Sequence, residues 1–341
     1  MNTVYSEKSA MSLEQQPLLD TTPRKSRIAS VWGKLLALVV LLTFVATSYV
    51  VVTLSMTKPK YPDLPNFYVV KDMDPKLIPS HKDDTRLILV GDIHGSFKQL
   101  KHLLDKADYN KKKDQLFFLG DFISKGKDSE GVVDFAIKHN ALCVRGNHED
   151  KLVNAYEKYH HLHHQKTLKT PGGHHITRDA PANILADEDD LAEDFTAEQM
   201  KYIASCPAIM RLGDIAETGN LAVAVHAGLM WNVPRLEDQD PDAVMRMRSL
   251  LPPRDTVYTE DDDGVPWFEV WNDKIEDRPK KDRMTIFYGH DARQGLQLTK
   301  YTRGLDSGCV KGGKLNAMII TQKKNGKFDE ELVRVSCKEL D

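Results

Sequence analysis

Residues 35–54 run twenty positions without a charge and are rich in Leu, Val and Ala. That length suits a helix crossing a hydrocarbon core of roughly 30 Å. Arg24, Lys25, Arg27 and Lys34 precede the run, and Lys58 and Lys60 follow it. The heavier basic flank predicts a transmembrane anchor with its N-terminus in the cytosol. A cleaved signal peptide is the competing reading, since Ala46-Thr47-Ser48 offers small residues. The long polar leader with Glu7, Glu14 and Asp20 argues against it. Past the anchor the pattern changes. From Thr85 onward short apolar runs alternate with helical spacing, the signature of an α/β domain. Residues 87–90, 116–119, 141–144, 221–225 and 286–288 read as buried strands. Phe97, Leu100, Leu103 and Leu104 line one helical face, with Ser96 and Gln99 as the expected capping box. Thr196 and Gln199 predict a second capped helix, ending before Pro207. The expected organisation is a disordered cytosolic tail over 1–34, an anchor over 35–56, a tether over 57–84 and one domain over 85–341.

Polar groups follow every one of those strands. They are Gly91-Asp92-Ile93-His94-Gly95, Gly120-Asp121, Gly146-Asn147-His148-Glu149-Asp150, His226-Ala227-Gly228 and Gly289-His290. An α/β sheet builds its site at the carboxyl ends of its strands, so five such ends predict one shared site. Carboxylate, imidazole and amide oxygen suit a pair of divalent ions, which can clamp the attacking and leaving oxygens of a phosphoryl displacement. Asp121 stands between the other donors in chain order and is the natural bridge. Asp92 and His94 complete one ion's protein ligands; Asn147, His226 and His290 complete the other's. His148, beside Asn147, is placed to act as general acid.

These runs resemble the calcineurin-like metallophosphoesterases, specifically the phosphoprotein-phosphatase superfamily. The likeness passes through GDIHG, GDFISKGKDS, RGNHED, HAG and GHDA to Leu305-Asp306-Ser307-Gly308-Cys309, Gly312-Gly313 and Leu315. Lys125, where protein phosphatases carry Arg, looks like the diadenosine-tetraphosphatase-like branch. With an anchor in front, the chain is most similar to the fungal vacuolar endopolyphosphatases of that branch. The resemblance implies a β-sandwich flanked by helices (α/β/β/α), preceded by one transmembrane helix. It implies two divalent metal ions (Zn, Mn, Fe or Co, with Zn favoured) on Asp92, His94, Asp121, Asn147, His226 and His290, with His148 as acid. Lys125, Asn147 and Arg248, and with less support Arg246, would hold substrate phosphate. The pattern departs at Ser124, where the superfamily has the Asp that orients the catalytic His; that leaves Asp150 or a backbone carbonyl for the task. Lys for Arg also exchanges a bidentate fork for a point charge.

A formal charge of −3 gives no field for nucleic acid, and none is expected as partner. Lys111-Lys112-Lys113 and the group Arg278, Lys280, Lys281 and Arg283 are candidate polyanion contacts or simply solvated charges. Cys143, Cys206, Cys309 and Cys337 are scattered, which predicts no disulfide framework and a buried, apolar role for Cys143. Glu14, Leu18 and Leu19 resemble an acidic dileucine signal read by sorting adaptors. The absence of any Asn-x-Ser/Thr acceptor weighs mildly against a lumenal domain. His160, His161, His163, His164, His174 and His175 form a His-rich insertion with no closed-site spacing. The acidic runs 187–190 and 261–263 match no calcium loop. Trp231, Trp267 and Trp271 are expected in packing. The resulting expectation is a vacuolar membrane protein with a lumenal catalytic domain that hydrolyses inorganic polyphosphate within the chain. The rivals are a diadenosine polyphosphate hydrolase, a Ser/Thr protein phosphatase and a non-enzymatic membrane adaptor.

Overall fold

The computed structural model describes residues 27–56, 63–164, 167–168 and 191–338. The N-terminal unit holds one helix, Arg27–Met56, of which Val31–Val52 has a mean hydropathy of 2.6 and is long and apolar enough to cross a membrane. The Thr43 and Thr47 hydroxyls donate back to the carbonyls of Val39 (3.0 Å) and Thr43 (2.9 Å). Their polar groups are therefore satisfied within the helix, as lipid requires.

The second unit begins at Tyr61 and is built on two face-to-face sheets. One runs Gln297–Leu298, Thr302–Gly304, Met284–Tyr288, Leu221–Val225, Ile209–Gly213, Val70–Asp72. The other runs Asp306–Ser307, Lys314–Gln322, Arg86–Val90, Asp114–Phe118, Leu142–Cys143, and Phe328–Ser336 pairs with Lys314–Gln322. Alternation of side chains along each strand sorts the apolar residues into three layers. Leu87, Leu89, Phe117, Ala222, Ala224, Phe287, Met318 and Ile320 fill the space between the sheets. Ile88, Val90, Leu116 and Phe118 turn outward onto Leu100, Leu103, Val132, Leu152 and Tyr156 of the helices. Val223, Val225 and Ile286 pack the other way, against Trp267, Trp271 and Met245. The expected α/β/β/α order is the one found. Strands buried on both faces explain why the runs at 87–90 and 221–225 are continuously apolar rather than alternating.

Three expectations need correction. Residues 67–72, read as tether, carry strands, and Val70–Asp72 pairs in parallel with Ile209–Gly213. Ser96 makes no side-chain cap, because its backbone (φ −81°, ψ 58°) lies outside the extended region that aims a capping hydroxyl. Thr196 does form its box with Gln199, and that helix ends at Ser205. The cysteines are not free: Cys143–Cys206 and Cys309–Cys337 are disulfides with Cα atoms 5.3 and 5.1 Å apart. Sequence spacing hid this, because the partners meet only when the end of Ala197–Ser205 folds against Leu142–Cys143. The adjoining Arg145 N–H then donates to Pro207 O at 2.8 Å.

The Cys143–Cys206 link closes a span of 63 residues. The chain-entropy argument puts its contribution at about 4 kcal/mol. Cys143→Ser with Cys206→Ser is expected to lower the domain's stability by about that amount. Guanidinium unfolding of the full-length protein in detergent, followed by tryptophan fluorescence, measures it. A loss under about 1 kcal/mol would show that packing alone holds this segment.

Candidate metal centre

The strands Arg86–Val90, Asp114–Phe118 and Leu142–Cys143 are mutually parallel, as are Leu221–Val225 and Met284–Tyr288. Each set therefore delivers its following loops to one edge. Those loops bring Asp92, His94, Asp121, Asn147, His226 and His290 together. Asp121 Oδ2 is 3.6 Å from His94 Nε2, and its Oδ1 is 3.3 Å from His226 Nε2. Asp92 Oδ2 is 3.9 Å from His94 Nε2. His226 Nε2 is 3.1 Å from Asn147 Oδ1 and 3.2 Å from His290 Nδ1. Among the described residues, the groups able to hold a metal ion are His94, Asp121, His148 and Asp121, His226, His290. Asp121 belongs to both.

The tautomers are set by the backbone. His94 Nδ1 lies 3.0 Å from Ile123 O, His226 Nδ1 lies 2.8 Å from Leu119 O, and His290 Nε2 lies 3.0 Å from Arg246 O. A ring N–H bonded to a carbonyl leaves the opposite nitrogen as a lone pair facing the cluster, the usual arrangement behind a metal-ligating imidazole. His94, Asp121 and His290 all take left-handed backbone (φ 47°, 46° and 72°). Such strain is held only where the surroundings over-determine it. The motif glycines permit the close approach. A Cβ on Gly146 would strike the Asp121 carboxylate, and one on Gly289 would strike that of Asp92.

Electrostatics shows what the pocket needs. Burial, then the charges of Asp306 and Asp121, push the Asp92 carboxyl well above the usual range. Burial also raises Asp121, but His226, His148 and His94 outweigh it and hold that carboxylate well below its ordinary value. Burial drives His94 down to about 3, and burial with the neighbouring His226 and Arg248 keeps His290 neutral. Asp92 Oδ2 is fully buried and meets no hydrogen-bond donor among the described residues. The Asp306 carboxyl lies beside it and is itself raised by burial. These groups must share either a proton or a cation. Orphaned carboxylate oxygen, neutral imidazole lone pairs and an amide oxygen make a donor set that fits divalent ions.

The remaining expected residues fall around this centre. His148 Nε2 is 3.9 Å from Asp121 Oδ2, and its ring meets that of His94 edge-on. Asp150, considered as its orienting partner, is engaged by Arg246 (3.0 Å) and Arg145 (3.6 Å). Arg246 is thus a structural cation under the site. Lys125 Nζ is 3.0 Å from His94 Nε2. Arg248 is braced on a small sheet by Thr259 O and points Nη1 to Asp291 Oδ1 at 3.1 Å. A cavity of about 340 Å³ opens over the centre, lined by His94, Lys125, Arg248, His290, Arg293 and Lys311 among others. In the insertion, His164 pairs with Glu157 at 2.9 Å, while His174, His175 and the run 187–190 lie outside the described residues. Trp267 and Trp271 are core, and Trp231 is half-buried with its indole N–H on Asp255 O.

Sequence reasoning passed over two residues. Asp306 follows the short strand Thr302–Gly304 and obeys the same polar-after-strand rule, but that strand carries too little apolar signal to be seen. Glu149 accepts from four main-chain N–H groups: Asp121 (2.7 Å), Phe122 (2.9 Å), Ile123 (3.3 Å) and Gly146 (2.9 Å). It locks the loop of one strand to the loop of the next.

Residues 85–307 match the calcineurin-like phosphoesterase family. The chain is 29% identical over 270 residues to the zinc-dependent endopolyphosphatase of Saccharomyces cerevisiae, covering 73% of this chain and 80% of that one. It is 28% identical over 269 residues to a symmetrical bis(5'-nucleosyl)-tetraphosphatase of Methylobacillus flagellatus, covering 67% and 90%. A crystal structure of a candidate diadenosine tetraphosphatase superposes with a TM-score of 0.56 at 29% identity, over 77% of this chain and 97% of that one.

Glu149→Gln would place an amide NH₂ against main-chain donors and leave buried N–H groups unpaired. Each such group costs about 1–3 kcal/mol. The variant is expected to lose stability of that order, read as a lower unfolding temperature of the full-length protein. An unchanged transition would show that the two loops do not depend on this clamp.

Proposed function

The chain belongs to the calcineurin-like phosphoesterases, and from that footing we propose that it cleaves phosphoanhydride bonds inside inorganic polyphosphate. The observation that carries this reading is the wall of the cavity over the centre. Lys125, Arg248, Arg293 and Lys311 line it, Arg248 paired with Asp291 (3.1 Å) and Arg293 with Asp262 (2.7 Å), together with Glu260, Asp261, Asp306 and small residues such as Ala292 and Gly308. Among the described residues of that wall the aromatic rings are the imidazoles of His94 and His290. Cations spaced along an opening suit a repeating anion.

On this reading Asp92, His94 and Asp121 hold one ion, and Asp121, Asn147, His226 and His290 the other, with Zn favoured. When bound, the ions supply Lewis-acid polarisation of the phosphoryl oxygens and acidify water toward neutral pH. Lys125, Asn147 and Arg248 hold phosphate oxygens and offset the charge that grows during transfer. His148 gives its proton to the bridging oxygen that departs with the leaving phosphate.

The location follows from two features. The apolar helix with its basic N-terminal flank favours a single-pass protein with the domain beyond the membrane. Two disulfides favour an oxidising lumen over the cytosol. A vacuolar address through Glu14, Leu18 and Leu19, which lie outside the described residues, completes the proposal. The second reading, hydrolysis of dinucleoside tetraphosphates, is favoured by relatives of nearly equal identity that bear that name.

Gel sizing decides between them. Incubated with Zn²⁺, full-length protein should shorten long polyphosphate to intermediate lengths before much orthophosphate appears. Asp121→Asn should abolish this and release metal. Inertness toward polyphosphate with rapid cleavage of diadenosine tetraphosphate would establish the second reading.

His148 stands near enough to His94 and Asp121 to serve as ligand or acid. His148→Ala should lower kcat by about 10²–10⁴ with metal content preserved. Loss of metal in that variant would make it a ligand instead.

A further inference from the structure

A cavity of about 740 Å³ opens at the opposite edge of the sheet that carries His226 and His290. Its floor includes Leu221 and Met284, the first residues of the two central strands. His226 is five residues on from Leu221, and His290 is six on from Met284. At about 3.3 Å per residue the two openings are about 17–20 Å apart.

The cavity wall has six basic side chains and three acidic ones. Three of the basic side chains are paired, Arg211 with Glu237, Arg235 with Asp238 (3.6 Å) and Lys274 with Asp273 (2.9 Å), which leaves Arg278, Lys281 and Arg283. Arg278 donates to the Trp231 carbonyl. Arg283 donates to the carbonyls of Arg278 (3.0 Å) and Glu276 (2.7 Å) and to the Tyr301 hydroxyl (3.1 Å). Among the described residues neither arginine, nor Lys281, forms an ion pair. Elsewhere in the domain several basic side chains close on carboxylates, as Arg86 does on Asp114 (2.7 Å) and Lys323 on Asp329 (2.6 Å). A solvated charged face would be convex, with mobile side chains. Here two half-buried guanidiniums are fixed by neutral acceptors around a concave space, and among the described residues neither is closed by a carboxylate, although Asp277 and Asp282 share the wall. That is the arrangement that recognises a multivalent oxyanion.

We propose that this cavity is a second anion site, which grips condensed phosphate away from the bond being cut. It rests on the polyphosphate reading of the cutting centre and adds selection for length. A chain long enough to reach both sites is held at two points and gains effective concentration at the second; a short anion is not. A chain anchored at a distance also presents an internal bond to the metals.

The test measures binding of long-chain polyphosphate and tripolyphosphate to full-length Asp121→Asn protein in detergent. Metal-depleted wild-type protein serves as a second background. Arg235→Glu with Lys281→Glu alters exposed side chains at the cavity mouth. It is expected to raise the Kd for the long chain at least about tenfold and to change that for tripolyphosphate less. Lys324→Glu with Lys327→Glu makes the same change in net charge on an exposed turn and should leave both constants unaltered. An unchanged Kd in the first pair, or an equal loss in both pairs, overturns the second site. Long chains left unshortened by the active protein would overturn the reading of the cutting centre, whatever the binding shows.

Discussion

Asp92, Asp121 and Asp306 share one buried space, and three carboxylates there cannot all keep their charge without cations. Taking a carboxylate out of water costs several kcal/mol even after relaxation, and like neighbours add to it. The pocket resolves this unevenly. Burial raises Asp92 and Asp306, while the neighbouring imidazoles, His226 first, hold the Asp121 carboxyl low. Asp121 is thus the carboxylate whose charge the pocket favours most, and it is also the one shared by both metal-capable groups. A first ion near it would relieve Asp92 in turn.

The rest of the domain fixes this arrangement in advance. Parallel strands in two sheets bring their ends to one edge, and the core between the sheets keeps those ends in register. The imidazoles of His94, His226 and His290 are each oriented by a main-chain carbonyl, so their direction follows from strand geometry. Glu149 binds the loop after Asp114–Phe118 to Gly146 and leaves little freedom for Asp121 to retreat from the centre. Ligands held on rigid elements with satisfied supports give the precision that two neighbouring ions demand.

Much of this was legible in the chain because the signals were local. An apolar run followed by Gly-Asp or Gly-His states a strand and the polar loop after it together, and the structure brings the six expected side chains to one place. Glu149 was less visible. Its role is to accept main-chain N–H groups from Asp121 to Ile123, and nothing at position 149 announces partners 26–28 residues away. The disulfides were misread for the same reason: Cys143 and Cys206 are neighbours only after a helix packs on a strand. Residues 67–72 resembled a tether because edge strands of two or three residues carry no periodicity. Ser96 shows the opposite failure, a correct local motif whose backbone is turned aside by the loop bearing His94.

Selectivity among phosphoanhydrides has to come from outside the metal centre, because that centre handles only the oxygens about one phosphorus. A nucleobase stacked on an aromatic ring is worth about 1–3 kcal/mol, and the cavity wall gives up that energy by presenting cations and small residues instead. Cations repay a different feature of the substrate: each further phosphate that can reach one. In the proposed role Lys125, a point charge where a fork would fix two oxygens of one group, would relax the demand for a single registered pose. A substrate that is the same at every bond needs no register, since any pose along it places another identical bond at the centre. On the proposed polyphosphate reading the wall would serve a polymer in this way, whereas a dinucleotide, whose two ends differ from its middle, would have to be placed.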